Sequence, residues 1–363
     1  DCSTAEINPL FSDSVYIDRL SRIPAVMEMP YNDIIRKFID MYAGRLRNQV
    51  SFMLSACNFY MPIFEEALDA YGLPLELRYL PIIESALNPS AVSRAGASGL
   101  WQFMIGTGKI YGLESNSLVD ERRDPIKATW AAARYLKEMY DIYGDWNLVI
   151  AAYNCGPGTI NKAIRRANGE TDYWKIYNYL PKETRGYVPA FIAANYVMTY
   201  YCDHNICPME TNIPASTDTV QVNKNLHFEQ IADLCNVPLD QIKSLNPQYK
   251  KQIIPGDNKP YTLRLPIEAI STFIDRQDTI FAHRADELFR NRKTVAVKEI
   301  SPSTRRATTA VAGKGKPTYY KIKSGDTLSS IAEKYGVRVK DIQRWNGMSN
   351  TKIAAGKRLK IYK

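Results

Sequence analysis

The sequence predicts an α+β multidomain protein, in which an all-helical domain precedes two small βααβ modules. Apolar residues recur at helical spacing through residues 31–203, and no convincing strand appears before residue 215. Strand-like alternation begins only after Pro214, and 363 residues are too many for one typical domain. We therefore divide the chain into an N-terminal extension at 1–30, a helical domain at 31–210, a module at 217–266, a connecting segment with a basic linker at 267–318, and a module at 319–363.

Helix signals are clearest in three parts of the helical domain. Residues 31–54 carry apolar side chains at helical spacing. Asp124 and Pro125 form an N-cap followed by proline at the first helical position, and Gly144 ends that helix about twenty residues later. Residues 182–201 predict one long helix.

The two modules repeat one pattern at an offset of 100 residues. Both begin and end with strand-like alternation and carry two short helical segments between. The matched pairs are Phe228 with Leu328, Ile231 with Ile331, Asn246 with Asn346, and Gly256 with Gly356. We therefore expect the inner module to be a diverged copy of the outer one, with the same βααβ fold.

Charge is distributed unevenly along the chain. Residues 1–210 hold 20 basic and 24 acidic residues, whereas residues 290–363 carry a net charge of +15. Residues 290–317 have almost no large apolar side chains, so they predict a flexible linker. The basic end suits an anionic polymer. No nucleic-acid motif accompanies it, and we expect no nucleic-acid partner.

Cysteine and histidine usage argues against a metal site. The chain has six cysteines, no CxxC and three histidines. Cys202 and Cys207 flank a four-residue loop and could pair in an oxidising compartment, but the sequence does not settle the pairing.

No membrane-spanning helix is expected, because no run of about 18 apolar residues exists. The numbering opens at Asp1 and Cys2 without a hydrophobic leader, so any signal peptide is expected to have been removed or to lie outside this sequence. Membrane association is therefore expected only through an N-terminal anchor. Cys2 is a candidate for lipidation, although Asp1 before it argues against lipoprotein processing.

Three ordered segments carry the strongest functional signal. Glu84 is followed eighteen residues later by Gln102 within the run Gly99-Leu-Trp-Gln-Phe-Met104. About fifty residues further lies Ala151-Ala-Tyr-Asn-Cys-Gly-Pro-Gly158, and then Glu183-Thr-Arg-Gly-Tyr-Val188. In this order and spacing the segments resemble the lytic transglycosylases, which cleave the glycan of bacterial peptidoglycan, and in particular the membrane-bound type D members. The resemblance implies a lysozyme-like domain of the goose type.

Glu84 is the candidate catalytic acid. The run Leu80-Pro-Ile-Ile-Glu84 places it in apolar surroundings, and desolvation raises the pKa of a carboxyl group. Taken alone, a helix-surface glutamate is the ordinary interpretation. The resemblance implies instead that Glu84 first protonates the leaving oxygen and then deprotonates the substrate's own C6 hydroxyl, which yields a 1,6-anhydro end and needs no cofactor.

The resemblance also supplies candidate substrate-binding residues, each with an ordinary structural alternative. Ser93 could be a turn former, Gln102 a helix cap, and the large apolar residues around Met104 part of the core. Tyr187 resembles the tyrosine that orients the catalytic glutamate. The full set implied for substrate binding is Ser93, Gln102, Met104, Ala152, Tyr153, Asn154 and Tyr187.

The outer module resembles a LysM domain and the inner one a diverged LysM-like unit. The resemblance implies that Ser324, Gly325, Asp326 and Thr327 contact glycan, whereas the inner module carries Lys224-Asn-Leu-His227 there. Peptidoglycan is the expected partner, and we expect a monomer in the periplasm or at the outer membrane. Two alternatives remain at this point: a goose-type lysozyme-like hydrolase, and a non-catalytic wall-binding protein.

Overall fold

A computed structural model describes residues 7–290, 318–322, 326–348, 351, 353 and 356–362. The chain forms two compact units, divided at residue 300. The first holds a helical domain followed by a small strand-containing module, and the second holds another such module. The α+β fold class expected from the sequence is confirmed.

The helical domain consists of eleven α-helices among the residues described. They are α1 Asp13–Ser21, α2 Asp33–Ala43, α3 Arg47–Ala70, α4 Leu80–Ser85, α5 Ile105–Ile110, α6 Pro125–Tyr143, α7 Trp146–Cys155, α8 Pro157–Arg166, α9 Tyr173–Ile176, α10 Lys182–Arg185 and α11 Tyr187–Tyr200. Short 3₁₀ turns lie at Leu75–Tyr79, Glu121–Arg123, Tyr177–Tyr179 and Tyr201–His204.

Helix α11 lies at the centre of this domain. Its sequence is apolar on every side, as expected of a fully buried helix, and it packs against α2, α3, α4 and α7. Helix α1 belongs to the same core, because Tyr16 and Leu20 are buried in it. Much of the expected N-terminal extension is therefore part of the folded domain.

Glycine interrupts two helices that the sequence predicts as continuous. The helix expected over residues 31–54 ends at Ala43, and α3 starts at Arg47 after Gly44. The helix expected over residues 182–201 is divided at Gly186 into α10 and α11. A side chain at Gly186 would press on the Phe38 ring, with Cβ 3.1 Å from its Cζ, so close packing favours glycine there.

Helix α6 has the ends that its sequence predicts. The Asp124 carboxylate accepts hydrogen bonds from the backbone N–H groups of Ile126 and Lys127, at 3.0 Å each. Gly144 adopts φ +63° at the other end. Capping chemistry alone was sufficient to place this helix.

The inner module pairs its strands in antiparallel fashion. Strand β1 (Thr217–Val222) pairs with β4 (Tyr261–Pro266), and β2 (Asn225–His227) pairs with β3 (Ile253–Pro255). Helices α12 (Phe228–Cys235) and α13 (Leu239–Leu245) lie between β2 and β3 in the chain.

The expected end of this module at residue 266 is too early. Helices α14 (Ile267–Asp275) and α15 (Gln277–Ala282) bury Phe273 and Ile280 in the module's core, and α16 (Ala285–Leu288) follows. An amphipathic helix that buries such side chains belongs to the domain whose core it completes.

The outer module has the order β5 (Thr318–Lys321), α17 (Leu328–Tyr335), α18 (Val339–Trp345) and β6 (Arg358–Ile361), with β5 and β6 antiparallel. It shares one detailed contact with the inner module. Asn246 donates to the carbonyls of Ile242 (2.9 Å) and Arg264 (2.8 Å) and accepts from the Arg264 N–H. Asn346 makes the same three bonds with Ile342 and Lys360.

Cys202 and Cys207 do not form the disulfide that their spacing allows. Cys202 is disulfide-bonded, but not to Cys207. The segment that follows Ile206 runs along α3, where the Ser51 hydroxyl donates to the Cys207 carbonyl and the Met209 N–H donates to the Ser51 carbonyl. These bonds hold Cys207 on α3.

No helix in the described part of the chain is both long and apolar enough to cross a membrane.

We predict that Asn246→Ala loosens the inner module, because it removes three hydrogen bonds and leaves the part-buried backbone N–H and carbonyl of Arg264 without this partner. The local opening free energy should fall by about 2 kcal/mol or more. Hydrogen exchange in the full chain measures this as faster exchange over residues 217–266. The exposed Asn223 offers the control substitution Asn223→Ala. Equal exchange in the two variants would contradict the prediction.

Candidate active site

Glu84 lies near the end of α4, a six-residue helix in the core of the helical domain. Leu80, Pro81 and Ile82 of the same helix are buried, as the apolar run predicts. The helix ends abruptly because Ala86 and Leu87 both adopt positive φ, at 51° and 57°. Such backbone conformations are costly for residues other than glycine, and they persist only where surrounding contacts impose them.

The Glu84 side chain is half-buried, and its carboxyl group contacts a tyrosine hydroxyl. The Tyr187 hydroxyl, at the start of α11, donates a hydrogen bond to Glu84 Oε1. Burial raises the pKa of Glu84 to about 7, opposed by the Tyr187 hydrogen bond and assisted by the negative charge of Glu183. A carboxyl with this pKa exchanges a proton readily near neutral pH, as a general acid–base requires.

Glu84 lines a groove of about 590 Å³ on the surface of the helical domain. Three of the residues expected to bind substrate, Ser93, Gln102 and Tyr187, line the same groove. Motifs that are up to about one hundred residues apart in the sequence thus meet at one site.

The loop after α4 presents Ser93 and Gln102. The Ser93 hydroxyl oxygen accepts from the Ala97 N–H at 3.0 Å, which closes a turn. Gln102 adopts φ +49° and donates its amide N–H₂ to the carbonyls of Gly99 (2.8 Å) and Ala91 (3.3 Å). Each side chain therefore has one atom fixed by the loop and another left for a ligand: the Ser93 hydrogen and the Gln102 oxygen.

The other expected residues are not among the described residues that line the groove. Ala152 is fully buried, and Met104 is 45% exposed at the start of α5. The Tyr153 hydroxyl donates to the Trp101 carbonyl at 2.7 Å. The Asn154 side-chain oxygen accepts from the Thr184 hydroxyl at 2.8 Å. In this structure Tyr153 and Asn154 therefore hold the segments that carry Gln102 and Tyr187.

The groove also contains residues that sequence reasoning missed. Glu183, an exposed side chain on α10, lines it and acts electrostatically on Glu84. Phe38 and Met41 of α2 and Gln49 of α3 form a further part of the wall. Glu183 begins the third motif and could have been found from it. The helical spacing around Phe38 indicated only a core-facing surface.

In the outer module, Ser324 and Gly325 lie outside the described residues. Asp326 accepts a hydrogen bond from the Tyr320 hydroxyl at 2.8 Å, so its carboxylate is engaged within the module. The same module has a groove of about 430 Å³, which is lined by Ile322, Asn346, Met348, Ile353, Lys357, Arg358 and Leu359.

Comparison with known proteins identifies three regions. Residues 61–176 match the transglycosylase SLT domain, residues 216–282 match the LysM-like domain of lytic transglycosylase MltD, and residues 320–361 match the LysM domain. The chain is 31% identical over 341 residues to membrane-bound lytic murein transglycosylase D of Escherichia coli K12. That alignment covers 92% of this chain and 70% of the relative. The chain belongs to the lytic murein transglycosylase family.

More distant relatives share only part of the chain. The soluble lytic murein transglycosylase of Escherichia coli K12 is 33% identical over 124 residues, which is 32% of this chain and 19% of that protein. A crystal structure of the 70 kDa soluble lytic transglycosylase of Escherichia coli has 29% identity, covers 42% of this chain and 26% of its own, and has a TM-score of 0.35. The family resemblance of the helical domain and of both LysM-type modules is confirmed.

The pH dependence of glycan cleavage should report the pKa of Glu84. Catalysis as an acid requires the protonated carboxyl, so the rate should fall as pH rises through about 7. Glu183→Gln removes a negative charge that raises this pKa, so the midpoint of the alkaline limb should move to lower pH. The control is Glu170→Gln, which neutralises an exposed glutamate outside the groove lining. If the pH–rate profiles of the two variants coincide, the charge of Glu183 does not act on Glu84.

Proposed function

We propose that this family member cleaves the β-1,4 bond between N-acetylmuramic acid and N-acetylglucosamine in peptidoglycan without adding water. The observation that carries the proposal is the single desolvated carboxyl of Glu84, with a pKa of about 7, inside a groove. This carboxyl suits both halves of a reaction in which one group first gives and then takes a proton.

In the first step Glu84 donates its proton to the glycosidic oxygen as the bond to the anomeric carbon breaks. The leaving sugar departs with a new hydroxyl group, and the anomeric carbon becomes electron-poor. The substrate's own N-acetyl carbonyl stabilises this centre. The Tyr187 hydroxyl stabilises the carboxylate that Glu84 becomes, since it already donates to Oε1.

In the second step the Glu84 carboxylate removes the proton from the C6 hydroxyl of the muramic acid residue. The C6 oxygen bonds to the anomeric carbon and closes a 1,6-anhydro ring. Glu84 regains its proton, so the cycle is balanced and consumes no cofactor. The groove residues Gln102 and Ser93 suit an N-acetylated sugar, with the Gln102 oxygen accepting from an N–H and the Ser93 hydroxyl donating.

A second candidate is hydrolysis, which Glu183 brings into consideration. Glycosidases that add water usually need two carboxylates, and Glu183 lines the groove with Glu84. Its side chain is exposed, whereas that of Glu84 is half-buried. The two reactions differ in their product, because a hydrolysed end retains the water that an anhydro end lacks.

The LysM-type modules suggest where the enzyme works. We propose that the outer module attaches the enzyme to peptidoglycan in the cell envelope, as expected for a relative of a membrane-bound murein transglycosylase. The inner module carries Lys224-Asn-Leu-His227 at its turn, which offers fewer small donors to a glycan. Attachment through an N-terminal anchor and a monomeric state form part of the same proposal.

We predict that Glu84→Gln lowers the rate of glycan cleavage by about a hundredfold or more, because the amide cannot donate and recover the proton. Digestion of purified sacculi followed by mass spectrometry measures both rate and product. Wild-type ends should be lighter than hydrolysed ends by one water. The variant should still bind sacculi. Retention of a tenth of the activity, or wild-type ends that contain the water, would overturn this mechanism.

A second prediction concerns wall binding. A chain that ends at residue 289 should bind sacculi more weakly than the chain that ends at residue 363, because it lacks the outer module. Co-sedimentation with sacculi at matched protein concentration measures the bound fraction, and Glu84→Gln in both chains prevents digestion. If the two chains bind sacculi equally, the outer module does not attach the enzyme to the wall.

A further inference from the structure

The active-site loop that carries Gln102 needs support from outside itself. Gln102 adopts positive φ, at 49°, a backbone conformation that residues other than glycine do not favour. Ser98 forms isolated bridges to Val92 and Phe103, so the loop folds back on itself. Its shape must therefore be fixed by what contacts it.

The 3₁₀ turn Glu121–Arg123 lies directly against the loop. Arg122 Nη1 donates to the carbonyls of Gly96 (2.8 Å) and Phe103 (3.0 Å), at the two ends of the loop segment. Arg123 Nε donates to Ser98 Oγ at 3.0 Å. A Cβ atom on Gly99 would collide with the Arg122 carbonyl, so the loop and the turn approach too closely for any side chain at that glycine.

Arg122 is itself fixed by Asp120. Its guanidinium donates from Nε to Asp120 Oδ1 (2.9 Å) and from Nη2 to Oδ2 (2.8 Å), and both side chains are buried. A bidentate pair restricts the guanidinium to one orientation. The position of Asp120 therefore determines where Arg122 holds the two loop carbonyls.

The inner LysM-like module contacts the Asp120 segment directly. The Asp120 N–H donates to the Gln248 carbonyl at 2.8 Å, and the Lys250 N–H donates to the Leu118 carbonyl at 2.8 Å. Lys250 Nζ donates to the Asn116 carbonyl at 2.8 Å and lies 3.8 Å from Asp120 Oδ2. These contacts form a short strand-like pairing between the helical domain and the module.

Apolar packing strengthens the same junction. Leu118 and Val119 are buried in the core of the inner module, rather than in the core of the helical domain that contains them in sequence. The Tyr261 hydroxyl of the module also donates to Glu114 Oε1 at 2.9 Å. The segment from Glu114 to Arg122 is thus held by the module at one end and holds the active-site loop at the other.

We propose that the inner LysM-like module positions the active-site loop through Lys250, Asp120 and Arg122, and so contributes to turnover and not only to wall attachment. This inference rests on the proposed function, since it assigns the module a part in that reaction. Lys250, Asp120 and Arg122 are positioning residues, because they act on the substrate only through the loop.

The test uses the full chain with Lys250→Met, which removes the ammonium group and keeps the aliphatic stem. Lys250→Arg is the conservative variant, and Lys251→Met is the matched control at an exposed neighbour. The substrate is soluble, uncrosslinked peptidoglycan strands, so that attachment to an insoluble wall does not limit the rate. We measure kcat and KM well below the thermal midpoint of every variant and scale them to the folded fraction from circular dichroism.

We expect Lys250→Met to lower kcat about fivefold or more, because coupling between two distant sites in a protein typically changes their properties by at least about that factor. KM and sacculus binding should change little, and Lys250→Arg and Lys251→Met should match the wild type. A lower thermal midpoint with unchanged kcat would overturn the proposal, because the junction would then be only structural. If Lys250→Met does not fold, Lys250→Gln takes its place with the same expected outcome. A wild-type chain that forms no anhydro ends would instead refute the proposed function.

Discussion

The partial desolvation of the Glu84 carboxyl group is the condition on which the rest of the site depends. Ionising a carboxyl in apolar surroundings costs free energy, and this cost raises the pKa of Glu84 to about 7. Helix α4 supplies the apolar surroundings and α11 supplies the one hydroxyl that touches the group. A glutamate on an ordinary exposed helix would be ionised at neutral pH and could not serve as the acid.

The same requirement explains why strained backbone surrounds this residue. Ala86 and Leu87 turn the chain sharply after α4, and Gln102 adopts positive φ where the loop returns to the groove. The Ser85 hydroxyl donates to the Pro81 and Leu100 carbonyls, at 3.0 and 2.9 Å, and so joins α4 to that loop. The strain is sustained by buried contacts on both sides of the groove, and these contacts extend as far as the inner module.

Local chemistry in the sequence was sufficient for part of the fold. Capping residues predicted the ends of α6. Matched apolar positions predicted two modules of the same fold, and Asn246 and Asn346 make equivalent contacts in the two modules. The breaks at Gly44 and Gly186 were missed because helical spacing continues across both glycines. The helices after residue 266 were missed because the strands and the helix on which they pack precede them in the chain. The disulfide pairing stayed open because spacing in sequence does not reveal that Cys207 is held on α3.

The active site, like the fold, was only partly predictable from the sequence. The order of the motifs predicted four site residues that line the groove: Glu84, Ser93, Gln102 and Tyr187. Phe38, Met41 and Gln49 were not predicted, because helices earlier in the chain form that wall and only tertiary packing brings them there. The role of the segment from Glu114 to Arg122 was not predicted for the same reason, because this segment of the helical domain contacts the inner module.

The most direct test of this account is the ionisation of Glu84 itself. Carbon-13 NMR of the enzyme labelled at glutamate carboxyl groups follows each group through a pH titration, and comparison with Glu84→Gln assigns the signal. The account predicts a midpoint of about 7 for Glu84 in the substrate-free enzyme. A midpoint at the ordinary glutamate value of 4.5 would contradict it, because the carboxyl would then be solvated and unable to act as the acid at neutral pH.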